Sequence, residues 1–162
     1  KLHTQLDLRT AIPEFILFNN AIVHDVNMLN YICFEPGSFY IMDKAYIDFD
    51  QFYTIQQRKA FFVTRARKDI NVKRVYSHPK DLLKGIIYDQ TILFNNYRAR
   101  KAYPDKLRRI KFRSDDYPDD LIFLTNNFEL EADQIAQLYK HRWKVELFFK
   151  WIKQHLKIKS FW

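Results

Sequence analysis

The sequence predicts an α/β domain in which a mixed sheet is flanked by helices. Two short apolar runs, SFYIM (38–42) and AFFVTRAR (60–67), are typical of buried strands, the first of a central one. Between them, DFDQFYTIQQRK (48–59) has helical spacing and an acidic cap at Asp48 or Asp50. Strands and helices that alternate within 162 residues, 48% of them apolar, favour one compact domain of this class.

The N-terminal segments predict a strand, a hairpin and a short helix. Residues 2–8 alternate roughly as a strand does, and EFILF (14–18) and NNAIV (19–23) form a predicted hairpin that turns at Asn19 and Asn20. HDVNMLNYIC (24–33) has helical spacing. His24 and Asp25 are the expected N-cap of this helix, and the alternative is that they form a site pair.

A strand-rich insertion is predicted over about residues 68–125. Its apolar runs are INVKRVYS, KGIIYDQTILF, LRRIKFRS and LIFLTN. Residues 98–113 carry eight basic groups and one acid, whereas residues 114–136 carry seven acids and no base. This division has two readings: a basic strand beside an acidic loop, or a basic strand that faces DNA.

Several classes of protein are excluded by composition and motif. A single cysteine, Cys33, excludes an internal disulfide and a multi-cysteine zinc site, as expected in a reducing compartment. No apolar run is long enough to span a bilayer, and the N-terminus is not a signal peptide. The chain also has no glycine-rich phosphate loop, GxSxG motif or Cys–His dyad.

The C-terminal segment, from LEADQIAQLYKHRW onward, is predicted to be one long helix. Residues 137–162 hold seven Lys and Arg and one acid, Glu146, and so contribute +6 to the net charge of +8. At about 100° per residue, Tyr139, Arg142, Glu146 and Lys153 would lie within roughly 60° of one another.

Those four side chains would border the apolar stripe that contains, in order, Leu138, Val145, Phe149, Ile152 and Leu156. There a carboxylate can bind a divalent metal, an arginine can bind phosphate through two donors, and a lysine adds a point charge. The alternative is an ordinary amphipathic helix with i,i+4 ion pairs. Trp143 and Trp151 are expected to pack in the core, or alternatively to stack on an unpaired base.

Asp43 is the second candidate, because it directly follows the apolar strand FYIM. A carboxylate at the C-terminal edge of a sheet, facing a helix that carries Glu146, could share a metal ion with it. The alternative is that Asp43 is a turn or capping residue.

The spacing Tyr139-x2-Arg142-x3-Glu146-x6-Lys153 resembles the Tyr-Arg-Glu-Lys signature of the DDE transposases of bacterial insertion sequences. HRWKVELFFKWIKQHL, KLHTQLDL, VHDVN, MDKAY around Asp43 and FLTNNF also resemble that family, so the resemblance covers essentially the whole chain.

The resemblance implies an RNase H-like catalytic core of the retroviral-integrase superfamily, with three carboxylates and two Mg²⁺ ions, for which Mn²⁺ is an expected substitute. By position, Asp43 corresponds to the second Asp and Glu146 to the catalytic Glu, and both are expected metal ligands. Tyr139, Arg142 and Lys153 correspond to contacts with DNA phosphates, and Lys150 and Lys157 are expected to add to this surface.

The implied reaction is hydrolysis at transposon ends, followed by attack of the 3′-OH on target DNA. The implied partners are double-stranded DNA and a second copy on paired ends, in the bacterial cytoplasm and without a membrane. The family's first Asp lies on a strand upstream of KLHTQLDL, so we expect residues 1–162 to be part of a longer core and inactive alone. The alternatives are a catalytically dead or domesticated relative that only binds DNA, and a nuclease or resolvase of the same fold.

Overall fold

A computed structural model describes residues 2–10, 12–18, 25–67 and 70–155, and the secondary structure falls into two sheets and four α-helices within these ranges. The predicted turn at Asn19 and Asn20, His24, Leu156 and Lys157 lie outside the described residues.

The first sheet is an antiparallel pair, β1 (Leu2–Leu6) and β2 (Pro13–Phe18). The predicted strand at residues 2–8 is therefore confirmed, and its partner is β2; a pairing of β2 with residues 19–23 lies outside the described residues. Asp25–Tyr31 follows as a 3₁₀ helix. His3 Nδ1 lies 3.0 Å from the hydroxyl of Tyr46, which joins this sheet to the rest of the molecule.

The second sheet has six strands in the order β3-β4-β8-β7-β6-β5. Only β3 and β4 are parallel, and every other neighbouring pair is antiparallel. The strands are β3 (Phe39–Met42), β4 (Phe61–Arg65), β5 (Val72–His78), β6 (Ile86–Phe94), β7 (Leu107–Phe112) and β8 (Leu121–Thr125). The predicted mixed sheet is confirmed, as expected for an RNase H-like fold.

The strands predicted between residues 68 and 125 belong to this same sheet, since β8 pairs with β4. One helix in that region was not predicted: α2 (Tyr97–Ala102) begins at Asn96, whose side chain accepts a hydrogen bond from the Arg98 amide.

The prediction that residues 38–42 form a central strand is wrong, because β3 is the end strand of the sheet that the described residues form. Its apolar run reflects packing on both faces: Tyr40 packs against one core cluster, and Phe39 and Ile41 pack against the other. A continuous apolar run therefore indicates that both faces of a strand are covered. It does not indicate whether the strand lies in the middle or at the end of its sheet.

Helices cover both faces of the six-stranded sheet. On one face, α1 (Phe49–Gln57) is capped by Asp48, as predicted, and stacks Phe52 on Phe62 with ring centroids 4.2 Å apart. On the other face, α3 (Ala132–Lys140) packs Ile135 and its neighbours on β4, β7 and β8. Each fully buried side chain of this kind contributes about 1.5–3 kcal/mol relative to exposure.

The prediction of one long C-terminal helix is wrong, because the chain forms α3 and then α4 (Trp143–His155). At the junction the amides of His141, Arg142, Lys144 and Val145 each bond to the carbonyl three residues earlier, at 3.0–3.1 Å. These are 3₁₀ bonds, which need neither proline nor glycine, so the apolar periodicity of the sequence continues through the break.

Candidate active site

Asp43 lies where β3 ends. Because β3 and β4 are parallel, their C-terminal ends share one edge of the sheet, and Asp43 is placed there beside Arg65 and the residues that follow β4. Its Oδ1 accepts a hydrogen bond from the Ala45 amide at 3.2 Å, so the capping reading is confirmed for this oxygen. Its Oδ2 faces the Nη1 of Arg142 at 3.7 Å.

Arg142 lies at the junction between α3 and α4 and contacts both candidate carboxylates. Its Nη2 donates to Glu146 Oε1 at 2.7 Å, one turn further along, in addition to the Asp43 contact. Its Nε is buried and has no hydrogen-bond partner within the part of the chain that the structure describes. The structure therefore brings Asp43 and Glu146 to the same guanidinium, although they are far apart in the sequence.

The ring of Tyr139 lies against the Arg142 guanidinium. Its ring is 5% exposed, lies 4.9 Å from the ring of Phe123, and has the Arg142 Cζ 5.8 Å from its centroid. Burial raises the pKa of the Tyr139 hydroxyl; the nearby Arg142 and Arg65 charges oppose this shift, and Asp43 adds to it. The hydroxyl is therefore neutral and able to donate at neutral pH.

The electrostatics of Arg142 are set by its two acidic neighbours. Burial disfavours its charge, but the hydrogen bond to Glu146 and the charges of Glu146 and Asp43 more than compensate, so the pKa of Arg142 lies above its usual value. The side chains of Asp43 and Glu146 are 38% and 64% exposed, which leaves both carboxylates open to a ligand from solvent.

The two carboxylates are the type of ligand that a hard divalent cation prefers. Asp43 and Glu146 offer carboxylate oxygens, and Mg²⁺ is usually held in proteins by one or two carboxylates together with water and substrate phosphate. In this structure the Arg142 guanidinium is the cation that contacts both carboxylates. Among the described ranges, no group of three His, Cys, Asp or Glu side chains is close enough to hold a metal.

The four residues predicted on one helix face are divided by the junction. Tyr139 belongs to α3, Arg142 to the junction, and Glu146 and Lys153 to α4. The single angular arrangement inferred from uniform spacing is therefore wrong, although Glu146 and Lys153, seven residues apart within one helix, do share a side of α4. Lys150 and Lys153 are exposed.

The two tryptophans of α4 do not pack in the core. Trp143 is 51% exposed and Trp151 is 55% exposed, so the expectation of packing is wrong for both. Trp151 stacks on His155 at 4.4 Å between ring centroids. Their exposure leaves open the alternative of stacking on a base.

The basic strand of the insertion is β7, and much of its charge is neutralised within the molecule. Arg108 forms a buried ion pair with Asp89, and Lys111 pairs with Asp120, which also binds Arg113. For Lys111 and Arg113, the reading of a basic strand beside an acidic loop is therefore confirmed.

Sequence reasoning missed two residues near the site. Arg65, at the end of β4, is close enough to affect the pKa of Tyr139, and its position on a parallel strand next to β3 was the available signal. Lys144 donates to the carbonyl of Leu8 at 2.8 Å and so joins α4 to the loop between β1 and β2. No sequence pattern indicates that contact.

A mixed sheet with two carboxylates at the edge next to a C-terminal helix defines a domain of the RNase H-like class. The model of the Transposase DDE domain family matches residues 1–161, and the chain belongs to that family. No described helix is both long enough and apolar enough to cross a membrane.

Three relatives are transposases by name. The chain is 36% identical to transposase y4zB of Sinorhizobium fredii, over 99% of this chain and 46% of the relative. It is 24% identical to the transposase for insertion sequence element IS5377 of Geobacillus stearothermophilus, over 98% of this chain and 41% of the relative. It is 23% identical to the transposase for element IS4SA of a Synechocystis strain, over 98% of this chain and 44% of the relative. The chain thus spans a little under half the length of these relatives. No solved structure matches it.

Proposed function

We propose that this chain is the catalytic part of a Mg²⁺-dependent DNA transposase. It would hydrolyse strands at transposon ends and transfer the freed 3′-OH into target DNA. The observation that carries this proposal is the convergence of Asp43 and Glu146 on Arg142 at one edge of the sheet. The family to which the chain belongs supports the same reaction class.

Asp43 and Glu146 are the residues that would hold Mg²⁺. A metal ion held there supplies charge stabilisation for the attacking and leaving oxygens of a phosphoryl transfer. Both carboxylates accept a hydrogen bond that orients them, Asp43 from the Ala45 amide and Glu146 from Arg142.

We expect Arg142 to exchange its contact with Asp43 for a contact with DNA and to keep its bond to Glu146. Its 3.7 Å contact with Asp43 is long for an ion pair, so its Nη1 has donors available for a phosphate oxygen. Tyr139 would hold the guanidinium in place, and Lys150 and Lys153 would add positive charge further along α4. Lys157 is proposed for the same role from the sequence alone.

The proposed partners are double-stranded DNA, as transposon ends and as target, and a second copy of the protein on paired ends. The proposed location is the bacterial cytoplasm, in association with DNA. We further propose that residues 1–162 do not cleave DNA by themselves, because no third acidic side chain joins Asp43 and Glu146 within the described ranges.

The test replaces each carboxylate by its neutral isostere, Asp43→Asn or Glu146→Gln, in the complete transposase. Cleavage of a transposon-end duplex in Mg²⁺ should fall by about 10³-fold or more, because several kcal/mol of transition-state stabilisation is lost. DNA affinity should change by less than about threefold, since neither residue is proposed to bind phosphate. Glu129→Gln, which removes an exposed carboxylate after β8, is the matched control.

Equal loss of binding and cleavage in either variant would contradict a role as metal ligand. Salt-dependent DNA binding without cleavage by the complete protein would instead support a domesticated relative that only binds DNA. Cleavage by the 162-residue chain alone would disprove its proposed inactivity.

A further inference from the structure

Asp43 and Glu146 lie on segments that have little packing of their own. Asp43 caps the three-residue 3₁₀ helix Lys44–Tyr46, in which no residue is buried. Glu146 lies in the first turn of α4, where Ile152 is the one buried side chain among the described residues. Carboxylates that share a metal ion must be held to within about 0.5 Å by packing and hydrogen bonds. Both segments therefore need restraints from elsewhere in the molecule.

The N-terminal sheet, which comprises β1, β2 and the turn between them, contacts the first segment through His3. His3 is 5% exposed, its Nδ1 lies 3.0 Å from the Tyr46 hydroxyl, and the two rings meet edge to face. Tyr46 ends the helix that Asp43 caps, and its amide donates to the Asp43 carbonyl at 3.0 Å. The contact with His3 therefore restrains the turn that orients the Asp43 carboxylate.

The same sheet contacts the second segment through the turn after β1. Lys144 lies two residues before Glu146, and its Nζ donates to the Leu8 carbonyl at 2.8 Å. This turn is closed by the Asp7 amide, which donates to the Ile12 carbonyl at 3.0 Å. The start of α4 is therefore tied to a defined point of the N-terminal sheet.

We propose that the N-terminal sheet positions the two carboxylates of the candidate active site relative to each other. His3 orients Asp43 through Tyr46, and Lys144 sets the place of Glu146. All three are positioning residues, since none of them touches the reacting atoms in this role. The proposal rests on the proposed function, because it assumes that Asp43 and Glu146 share a metal ion.

A simpler role for these contacts is to hold the N-terminal sheet on the domain, since an isolated pair of strands is only marginally stable. The two roles differ in the segment that loosens when a contact is removed. Loss of the Tyr46 hydroxyl would loosen β1 in the simpler role, and it would loosen the Asp43 turn in the proposed one. Hydrogen exchange distinguishes these results, because it reports local opening segment by segment.

The first test is Tyr46→Phe in the complete transposase, which removes the contact with His3 but keeps the ring that packs against the core. Without metal, deuterium exchange over residues 43–47 should rise about fivefold, the effect of one hydrogen bond. Cleavage in Mg²⁺ at saturating DNA should fall about tenfold, since a small displacement of a catalytic group is costly. DNA affinity should stay within about twofold of wild type.

The matched control is Tyr40→Phe, which removes a tyrosine hydroxyl on β3 that accepts a hydrogen bond from the Glu35 amide at 2.8 Å. It should behave as wild type in cleavage and in exchange over residues 43–47, because this hydroxyl contacts neither carboxylate-bearing segment among the described residues.

Two substitutions of His3 separate its hydrogen bond from its packing. His3→Leu should match Tyr46→Phe in both measurements. His3→Asn should stay within about threefold of wild type in cleavage, because the asparagine side chain places a polar atom near the position of Nδ1. The double variant His3→Leu/Tyr46→Phe should lose no more than either single variant, since both remove one contact.

Lys144→Met tests the second contact. Exchange over residues 141–147 should rise and cleavage should fall about tenfold, while DNA affinity and its salt dependence stay as in wild type. Lys106→Met, which changes an exposed lysine beside the start of β7, is the control. A loss of affinity with a salt dependence lower by about one counterion would assign Lys144 to DNA and overturn its positioning role.

Unchanged exchange over residues 43–47 in Tyr46→Phe would overturn the proposal, and so would faster exchange confined to β1. Either result leaves the proposed function intact. Full cleavage by Asp43→Asn would instead overturn the proposed function. The exchange measurements need no metal, so they decide separately whether the N-terminal sheet restrains the Asp43 turn.

Discussion

Arg108 and Arg142 each bind carboxylates, but only Arg108 has all three of its side-chain nitrogens in hydrogen bonds among the described residues. Arg108 donates to both oxygens of Asp89 at 2.9 and 2.7 Å and also to the carbonyls of Leu130 and Asn127. Arg142 makes one short bond to Glu146 and a 3.7 Å contact with Asp43, and its Nε has no partner among the described residues. The first arrangement fixes the architecture, whereas the second leaves donors for a ligand.

The two arginines also differ in burial, since Arg108 is buried and Arg142 is partly exposed. The side chains of Arg108 and Asp89 are 7% and 5% exposed, so each would be a buried, unpaired charge without the other. The side chain of Arg142 is 30% exposed and its acidic partners are more exposed still. Loss of Arg108 should therefore affect folding, and loss of Arg142 should affect binding.

The largest expected effect is that of Arg108→Met, which leaves the Asp89 carboxylate buried and unpaired. The free energy of unfolding should fall by about 3–5 kcal/mol, a large share of the 5–15 kcal/mol typical of a domain. Urea denaturation followed by circular dichroism measures it.

The matched control is the double variant Asp89→Leu/Arg108→Met, which removes both charges and should recover most of the loss. A single-variant loss below about 1 kcal/mol, the value for an exposed pair, would remove the contrast with Arg142.

The sequence predicted the elements that hold Arg108 but not its contacts. The β-rich runs KGIIYDQTILF and LRRIKFRS placed β6 and β7 correctly, because enrichment in β-branched and aromatic residues is a local property of the chain. The pairing of Arg108 with Asp89 depends on the register between these strands, Thr91 with Arg108 and Asp89 with Ile110, and no local pattern encodes that register.

The candidate site shows the same division between local and long-range information. Asp43 and Glu146 were selected from the sequence, one as the residue after a strand and both through the resemblance to transposases. The Arg142–Glu146 contact is the i,i+4 pair expected of an ordinary amphipathic helix and is confirmed. The contact of Arg142 with Asp43 could not be predicted, because it requires the break between α3 and α4, which 3₁₀ bonds produce without any marker residue. The roles of Tyr139, Lys150 and Lys153 in binding DNA stay predictions.

The second expected effect is that of Arg142→Gln, which should leave stability nearly unchanged. The free energy of unfolding should change by less than about 1 kcal/mol, because both ion pairs are partly exposed. Affinity for a duplex should fall by about tenfold, the loss of one charged hydrogen bond to phosphate, and the salt dependence by about one counterion. Fluorescence anisotropy at several salt concentrations measures both.

Arg113→Gln is the control for Arg142, since it removes an exposed arginine whose bonds go to Asp120. Destabilisation of the Arg142 variant comparable to that of the Arg108 variant would show that Arg142 is structural. Unchanged DNA affinity would remove it from the proposed interface.

The smallest expected effect concerns Asp120, whose carboxylate is fully bonded like that of Asp89 but lies near the surface. Arg113 donates to its two oxygens at 2.8 and 3.1 Å, and Lys111 lies 3.0 Å away. These bonds, that of Arg113 first, hold the pKa of Asp120 well below its usual range. A lowered pKa in the folded state stabilises the fold above the unfolded value of about 3.9, and this stabilisation is lost as the pH falls through the folded value.

The urea midpoint of Asp120→Asn should therefore lie slightly below that of wild type by a constant amount from pH 7 to pH 5, and the gap should close as the pH falls below about 4. The gap should be small because the Arg113 side chain is 68% exposed and solvent screens the pair. Measurements at several pH values, with Asp119→Asn as a neighbouring control, test this. A gap as large as that of the Arg108 variant would mean that complete hydrogen bonding, rather than burial, determines how much an ion pair stabilises this fold.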